Sequence, residues 1–207
     1  MAALAARRAQ VGNLSVDSTV FFLCDMQELF RKKIAYFQDV LNVTKVMIEA
    51  ANLLKIPIFA TEHDPSTGCG KTVPEIDTSS FKDRLFTKTT FSMLGAPGLE
   101  NELKKIQQVK SVVIFGVMAD VCVYNTALEL LERDYIVHVI ADAVSSDHNC
   151  ERIICLQRLA KSGAIVSTSK ATLYNLIKGT DHPNNDAILS LLAGVVPDKG
   201  LMNAYGV

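Results

Sequence analysis

The 207-residue chain carries 21 Lys and Arg against 22 Asp and Glu, a net charge of -1, and is 49% hydrophobic. A balance this even, with no long run of either sign, excludes electrostatic capture of nucleic acid or of an anionic membrane, and no apolar run is long enough to span a bilayer. Cys24, Cys69, Cys122, Cys150 and Cys155 are odd in number and form no CxxC pair, so they read as reduced thiols of a cytoplasmic protein rather than a disulfide framework.

Residues 1–17 form an alanine-rich leader with Arg7 and Arg8 and no acid before Asp17. The composition is compatible with a mitochondrial presequence, while the shortness favours a frayed extension. The first apolar burst, Thr19–Leu23, predicts a strand that runs into Cys24 and Asp25. Val40, Val43, Met47, Ala51 and Leu54 then recur at three- and four-residue steps, predicting an amphipathic helix. A second strand is predicted over Pro57–Thr61.

From Glu62 to Arg84 the periodicity is lost, and Pro65, Gly68, Gly70 and Pro74 punctuate a long excursion over the strand ends. Loops of that length in a compact domain usually wall a pocket. Gly68-Cys-Gly70-Lys71-Thr72 imitates a phosphate-binding P-loop, but the spacing demands glycine where Pro65 stands, so Lys71 reads as solvated.

Further strands are predicted over Leu85–Thr87, Ser111–Gly116, Ile136–Ala141 and Ala164–Ser167, with helical periodicity in Val123, Ala127, Leu130 and Leu131. Cys150 and Cys155 fall on a later helix face as core filler. The bursts are mostly continuous rather than alternating, which fits strands buried on both faces of a parallel sheet. Strand and helix therefore alternate in a single α/β domain, doubly wound, with a mainly parallel six-stranded sheet flanked by helices, spanning 18–196 and followed by a tail over 197–207.

Ligands of such sheets bind beyond the carboxyl ends of the strands. Asp25 follows the first strand, Lys88 the third and Cys122 the fourth. Taken singly, Asp25 also reads as a helix cap, Lys88 as a surface lysine and Cys122 as a small buried side chain. Asp120 reads as a cap of the helix after Cys122. Met118, His63, Phe91 and Tyr124 are pocket-wall candidates. No second histidine follows His63 before His138, so no closed metal site can be assembled there, and no metal or other cofactor is expected.

Asp25 in Cys-Asp-Met-Gln-Glu, Lys88 in Thr-Lys-Thr-Thr-Phe-Ser-Met, and Cys122 in Gly116-Val-Met-Ala-Asp-Val-Cys-Val with Thr126-Ala127 resemble the isochorismatase-like cysteine hydrolase superfamily. Phe30-Arg31, Ile34-Ala-Tyr-Phe37, Thr61-Glu62, Thr72-Val-Pro-Glu75 and Ser167-Thr-Ser169 extend the likeness to eukaryotic isochorismatase domain-containing proteins. The resemblance implies an Asp25–Lys88–Cys122 triad, a cis bond between Val117 and Met118, and an oxyanion hole from the N–H groups of Met118 and Cys122. It implies hydrolysis of a small amide, ester or isochorismate-like substrate through an acyl-thioester on Cys122, by a protein that forms homo-oligomers. The alternative is a catalytically quiet domain acting in protein association.

Overall fold

The computed structural model describes residues 12–194 and residue 201. Six strands, β1 (Thr19–Cys24), β2 (Ile58–His63), β3 (Leu85–Lys88), β4 (Ser111–Val117), β5 (Ile136–Ser145) and β6 (Ile165–Ser167), form one sheet in the order β3-β2-β1-β4-β5-β6. Every pairing is parallel. The chain first winds outward from β1 to β3, then returns to start β4 on the other side of β1. That reversal puts the topological switch point, where ligands of such sheets bind, at the carboxyl ends of β1 and β4.

The helices are α1 (Phe37–Leu54), α2 (Leu99–Lys105), α3 (Tyr124–Glu132), α4 (Asn149–Ser162), α5 (Ser169–Ile177) and α6 (Asn185–Ala193). They explain the unbroken apolar runs. In β1, Phe21 and Leu23 pack toward α1 and α5, while Val20, Phe22 and Cys24 pack toward α2, α3 and α4. β4 alternates in the same way, Val113, Phe115 and Val117 against Val112 and Ile114. With a helical layer on each face, neither set of side chains can be polar. The α1 positions expected from periodicity, Val40, Val43, Met47, Ala51 and Leu54, are all buried. No helix among the described residues is long and apolar enough to cross a membrane.

β5 runs four residues past its expected end at Ala141, through Asp142 and Ser145, and its register on β4 shifts between Ile114 and Gly116. Long-range partners accommodate the buried polar groups. Ser169 at the start of α5 donates its N–H and hydroxyl to Asp142 at 2.7 and 2.6 Å, and Ser145 donates to the Ala35 carbonyl at 2.6 Å. Arg152, fully buried on α4, donates to the carbonyls of Val144 and Ala141 across the irregular stretch.

Most of the expected leader, residues 1–11, lies outside the described residues. Where the chain enters them, Leu14 is buried and its N–H donates to Asn175 at 2.9 Å. Of the expected tail over 197–207, Leu201 alone is described, and it is buried in the α1-side core.

His138 on β5 is buried, its Nε2 meets no hydrogen-bond partner among the described residues, and burial pushes its pKa down to about 4. The unfolded chain protonates this ring near pH 6.5 while the folded protein does not. Stability is therefore complete above about pH 6.5 and is lost as pH falls toward 4, by up to about 3 kcal/mol. Urea midpoints at pH 7 and pH 4.5 should separate widely for the native protein and less for His138→Leu; equal separations refute this account.

Candidate active site

The switch point is shaped by two unusual backbone positions. Gly116, one residue before the end of β4, has φ +114°, and a Cβ placed on it would stand 2.1 Å from the Cys24 carbonyl oxygen. Only glycine lets β4 lie this close to β1 there. Asp25 follows directly with φ +46°, a left-handed conformation that aspartate tolerates better than most residues. Its N–H donates to Thr61 and its carbonyl accepts from Gln27, so the turn is tied on both sides.

This turn leaves the Asp25 side chain beyond the strand ends. Lys88 Nζ lies 2.7 Å from Asp25 Oδ2, 3.4 Å from Cys122 Sγ and 3.1 Å from the Thr90 carbonyl. Thr61 Oγ1 donates to the other Asp25 oxygen at 2.7 Å. Asp25 thus serves no helix cap, and Lys88 is no surface lysine: their exposures are 0% and 1%, against 6% for Cys122. β3 and β1 are separated by β2, a distance of about 10 Å at the usual strand spacing. Only a long side chain can bring a charge across it, while the small Thr61 on β2 leaves room beneath.

Cys122 lies in a π-helical turn, Ala119–Val123, in which the Val123 N–H reaches five residues back to the Met118 carbonyl at 3.0 Å. Such turns widen a helix start and recur at functional sites. The peptide bond between Val117 and Met118 is cis. Thr126 Oγ1 donates to the Cys122 carbonyl at 2.6 Å and accepts from the Met93 N–H at 2.9 Å. Ser92 donates to Glu129 of α3 at 2.5 Å. The segment after Lys88 is thereby stapled to the helix that carries Cys122.

Electrostatically, one ammonium confronts three groups able to carry negative charge. Burial works against the Lys88 cation, yet the neighbouring Cys24 sulfur, the Asp25 carboxylate and the Cys122 sulfur together outweigh it and hold its pKa above the ordinary lysine value. Sγ of Cys24, Sγ of Cys122 and a carboxylate oxygen of Asp25 lie within 4.8 Å of one another. These are donors a soft metal ion would accept, but the Lys88 ammonium already engages the carboxylate.

The remaining sequence candidates are spread around this cluster. Met118 is half-buried at the head of the π-helical turn. His63 pairs in register with Lys88, and its backbone is gripped by the Gln27 side chain, which accepts from His63 N and donates to its carbonyl, both at 2.8 Å. Phe91, three residues past Lys88, is 60% exposed. The Tyr124 ring lies beneath Arg158 of α4, 5.1 Å from centroid to guanidinium carbon.

Asp120 is not a helix cap; its carboxylate accepts from Ser146 at 2.5 Å, tying the π-helical turn to the residue after β5. Cys150 is exposed rather than core filler. The excursion folds back on β2: buried Glu62 accepts from the N–H and hydroxyl of Thr72 at 2.7 and 2.8 Å, and Lys71 reaches it at 3.3 Å. Gln27 and Ser146 escape sequence reasoning because their partners, His63 and Asp120, are distant in the chain.

The isochorismatase domain family model matches residues 19–171. Isochorismatase domain-containing protein 2 of Homo sapiens is 41% identical over 202 residues, covering 98% of this chain and 96% of the relative. Its counterpart in Xenopus laevis is 40% identical over 196 residues, covering 95% and 94%. The solved structure of MAR1 ribonuclease from Caenorhabditis elegans is 37% identical with a TM-score of 0.84, covering 91% of this chain and 96% of that one.

Proposed function

The chain belongs to the isochorismatase domain family, and from that membership and the clustered side chains we propose that it is a cysteine hydrolase of a small amide, ester or related molecule, working without a metal. The observation that carries the proposal is the contact of one buried ammonium with both the Asp25 carboxylate and the Cys122 sulfur, at 2.7 and 3.4 Å.

A free thiol is only a few per cent thiolate at neutral pH and needs a base, a cation, or both. Asp25 takes the Cys122 proton, aligned by the Thr61 hydroxyl on its far oxygen. Lys88 holds the charge that appears on sulfur; two unit charges about 4 Å apart attract by roughly 4 kcal/mol at an effective dielectric near 20. The sulfur attacks the carbonyl carbon, and the oxyanion is received by the N–H groups of Met118 and Cys122. Asp25 returns the proton to the leaving group, then activates the water that cleaves the acyl-thioester.

An RNA substrate, the activity named for the C. elegans relative, gains little support from this chain. Its charges nearly cancel, and the cation at the cluster is buried and already paired.

Turnover of a panel of small amides and esters by the native protein and by Cys122→Ala tests the proposal. Hydrolysis by the former and none by the latter is expected. Silence from both throughout the panel would leave the quiet, protein-associating domain as the better reading.

A further inference from the structure

The hydrolytic route leaves one neighbouring nucleophile unused. Cys24 ends β1, has no exposure, and packs on the same face of the sheet as Cys122, with the two sulfurs within 4.8 Å. Burial, a hydrogen bond to Cys122 and the charge of Asp25 keep its proton in place, well above the usual thiol range. The other thiols are differently occupied: Cys155 donates to the Ala119 carbonyl at 3.0 Å, Cys69 sits 3.6 Å from the Thr67 hydroxyl, and Cys150 is out in solvent.

We propose that Cys24 is a resolving thiol: when a hydroperoxide oxidises Cys122, Cys24 closes a Cys24–Cys122 disulfide that shuts the site until a reductant reopens it. The idea rests on the reading of Cys122 as a reactive thiolate. A disulfide needs its sulfurs about 2.05 Å apart, so closure requires side-chain rotation and a small give in the π-helical turn.

The exposures set the order of events. Cys122 keeps 6% exposure and Cys24 none, so a small oxidant meets Cys122 first. The Cys122 thiolate attacks the peroxide oxygen; an S–O bond forms, the O–O bond breaks, and the departing oxygen takes a proton to leave as water or an alcohol. Sulfur has lost two electrons to the peroxide. Cys24 sulfur then attacks Cys122 sulfur; the S–S bond forms, the S–O bond breaks, and the hydroxyl leaves as water with the Cys24 proton. Two thiols and one hydroperoxide thus become one disulfide, one water and one water or alcohol. The disulfide also spares Cys122 the irreversible step to sulfinic acid.

The full chain carrying Cys150→Ser, which removes the exposed thiol, is treated with a few equivalents of hydrogen peroxide and examined by intact mass and non-reducing peptide mapping. Expected are a loss of about 2 mass units, one linked peptide pair holding Cys24 and Cys122, loss of Cys122 alkylation by iodoacetamide, and full recovery with dithiothreitol. With Cys24→Ser added, and equally with Cys24→Ala, Cys122 should become trappable by dimedone and gain about 32 mass units irreversibly.

If Cys122 alkylates before oxidation yet gains that mass as readily with Cys24 present, and no linked pair forms, the resolving role falls and the hydrolase reading stands. If Cys122 in untreated protein resists iodoacetamide altogether, the hydrolase reading loses its nucleophile and the resolving role goes with it.

Discussion

Asp25→Asn is expected to lower kcat/KM for any amide or ester the native protein hydrolyses by about 10²- to 10⁴-fold, the usual worth of a positioned general base. Asparagine keeps the volume and can still accept from Thr61, but it cannot take the Cys122 proton. It also leaves the Lys88 ammonium buried without its 2.7 Å carboxylate, and breaking one side of a buried pair costs about 3–5 kcal/mol. The two effects are read separately, kcat/KM against pH for the proton transfer and urea midpoint for the pair. Undiminished turnover in a folded Asp25→Asn variant would remove the carboxylate from the chemistry.

The largest structural effect is expected at Gly116. An alanine methyl there meets the backbone of Cys24 at 2.1, 2.8 and 2.9 Å, atoms that no rotamer change can move, and φ +114° adds strain of its own. β1 and β4, paired along six positions from Thr19 with Ser111 to Cys24 with Gly116, would have to part. Gly116→Ala should cost at least about 4 kcal/mol, lowering Tm by about 10 °C or more, or prevent soluble expression. Gly163→Ala is the control. It has φ +104° but nothing within 4 Å of the added carbon, so it should cost only the conformational term of about 1–2 kcal/mol. Similar melting temperatures for the two variants would refute the close-approach argument.

What the sequence made legible follows from these physics. Continuous apolar runs mark β1, β2 and β4 because both sheet faces are covered, and Asp25 just beyond β1, Lys88 at the end of β3 and Cys122 in the turn after β4 are the residues the structure gathers. The far half of β5 was hidden because Asp142 and Ser145 look like a strand end. They are buried only because Ser169 and Ala35, distant in the chain, supply their hydrogen bonds. Asp120 differs from its sequence expectation for a related reason: aspartate before a helix suggests a cap, but the turn opens as a π-helix and Ser146 claims the carboxylate.

The cation comes from the outermost strand on its side. β3 has four residues and borders only β2, where stacked Phe59 and Phe86 rings, 6.5 Å apart, and an Arg84 hydrogen bond to the Ile58 carbonyl fix its alignment. A slip of one residue would turn the ammonium to the opposite side of the sheet and leave a threonine in its place. On the proposed mechanism, warming or mild denaturant, which loosens short peripheral strands first, is expected to silence the sulfur while the central strands are still intact.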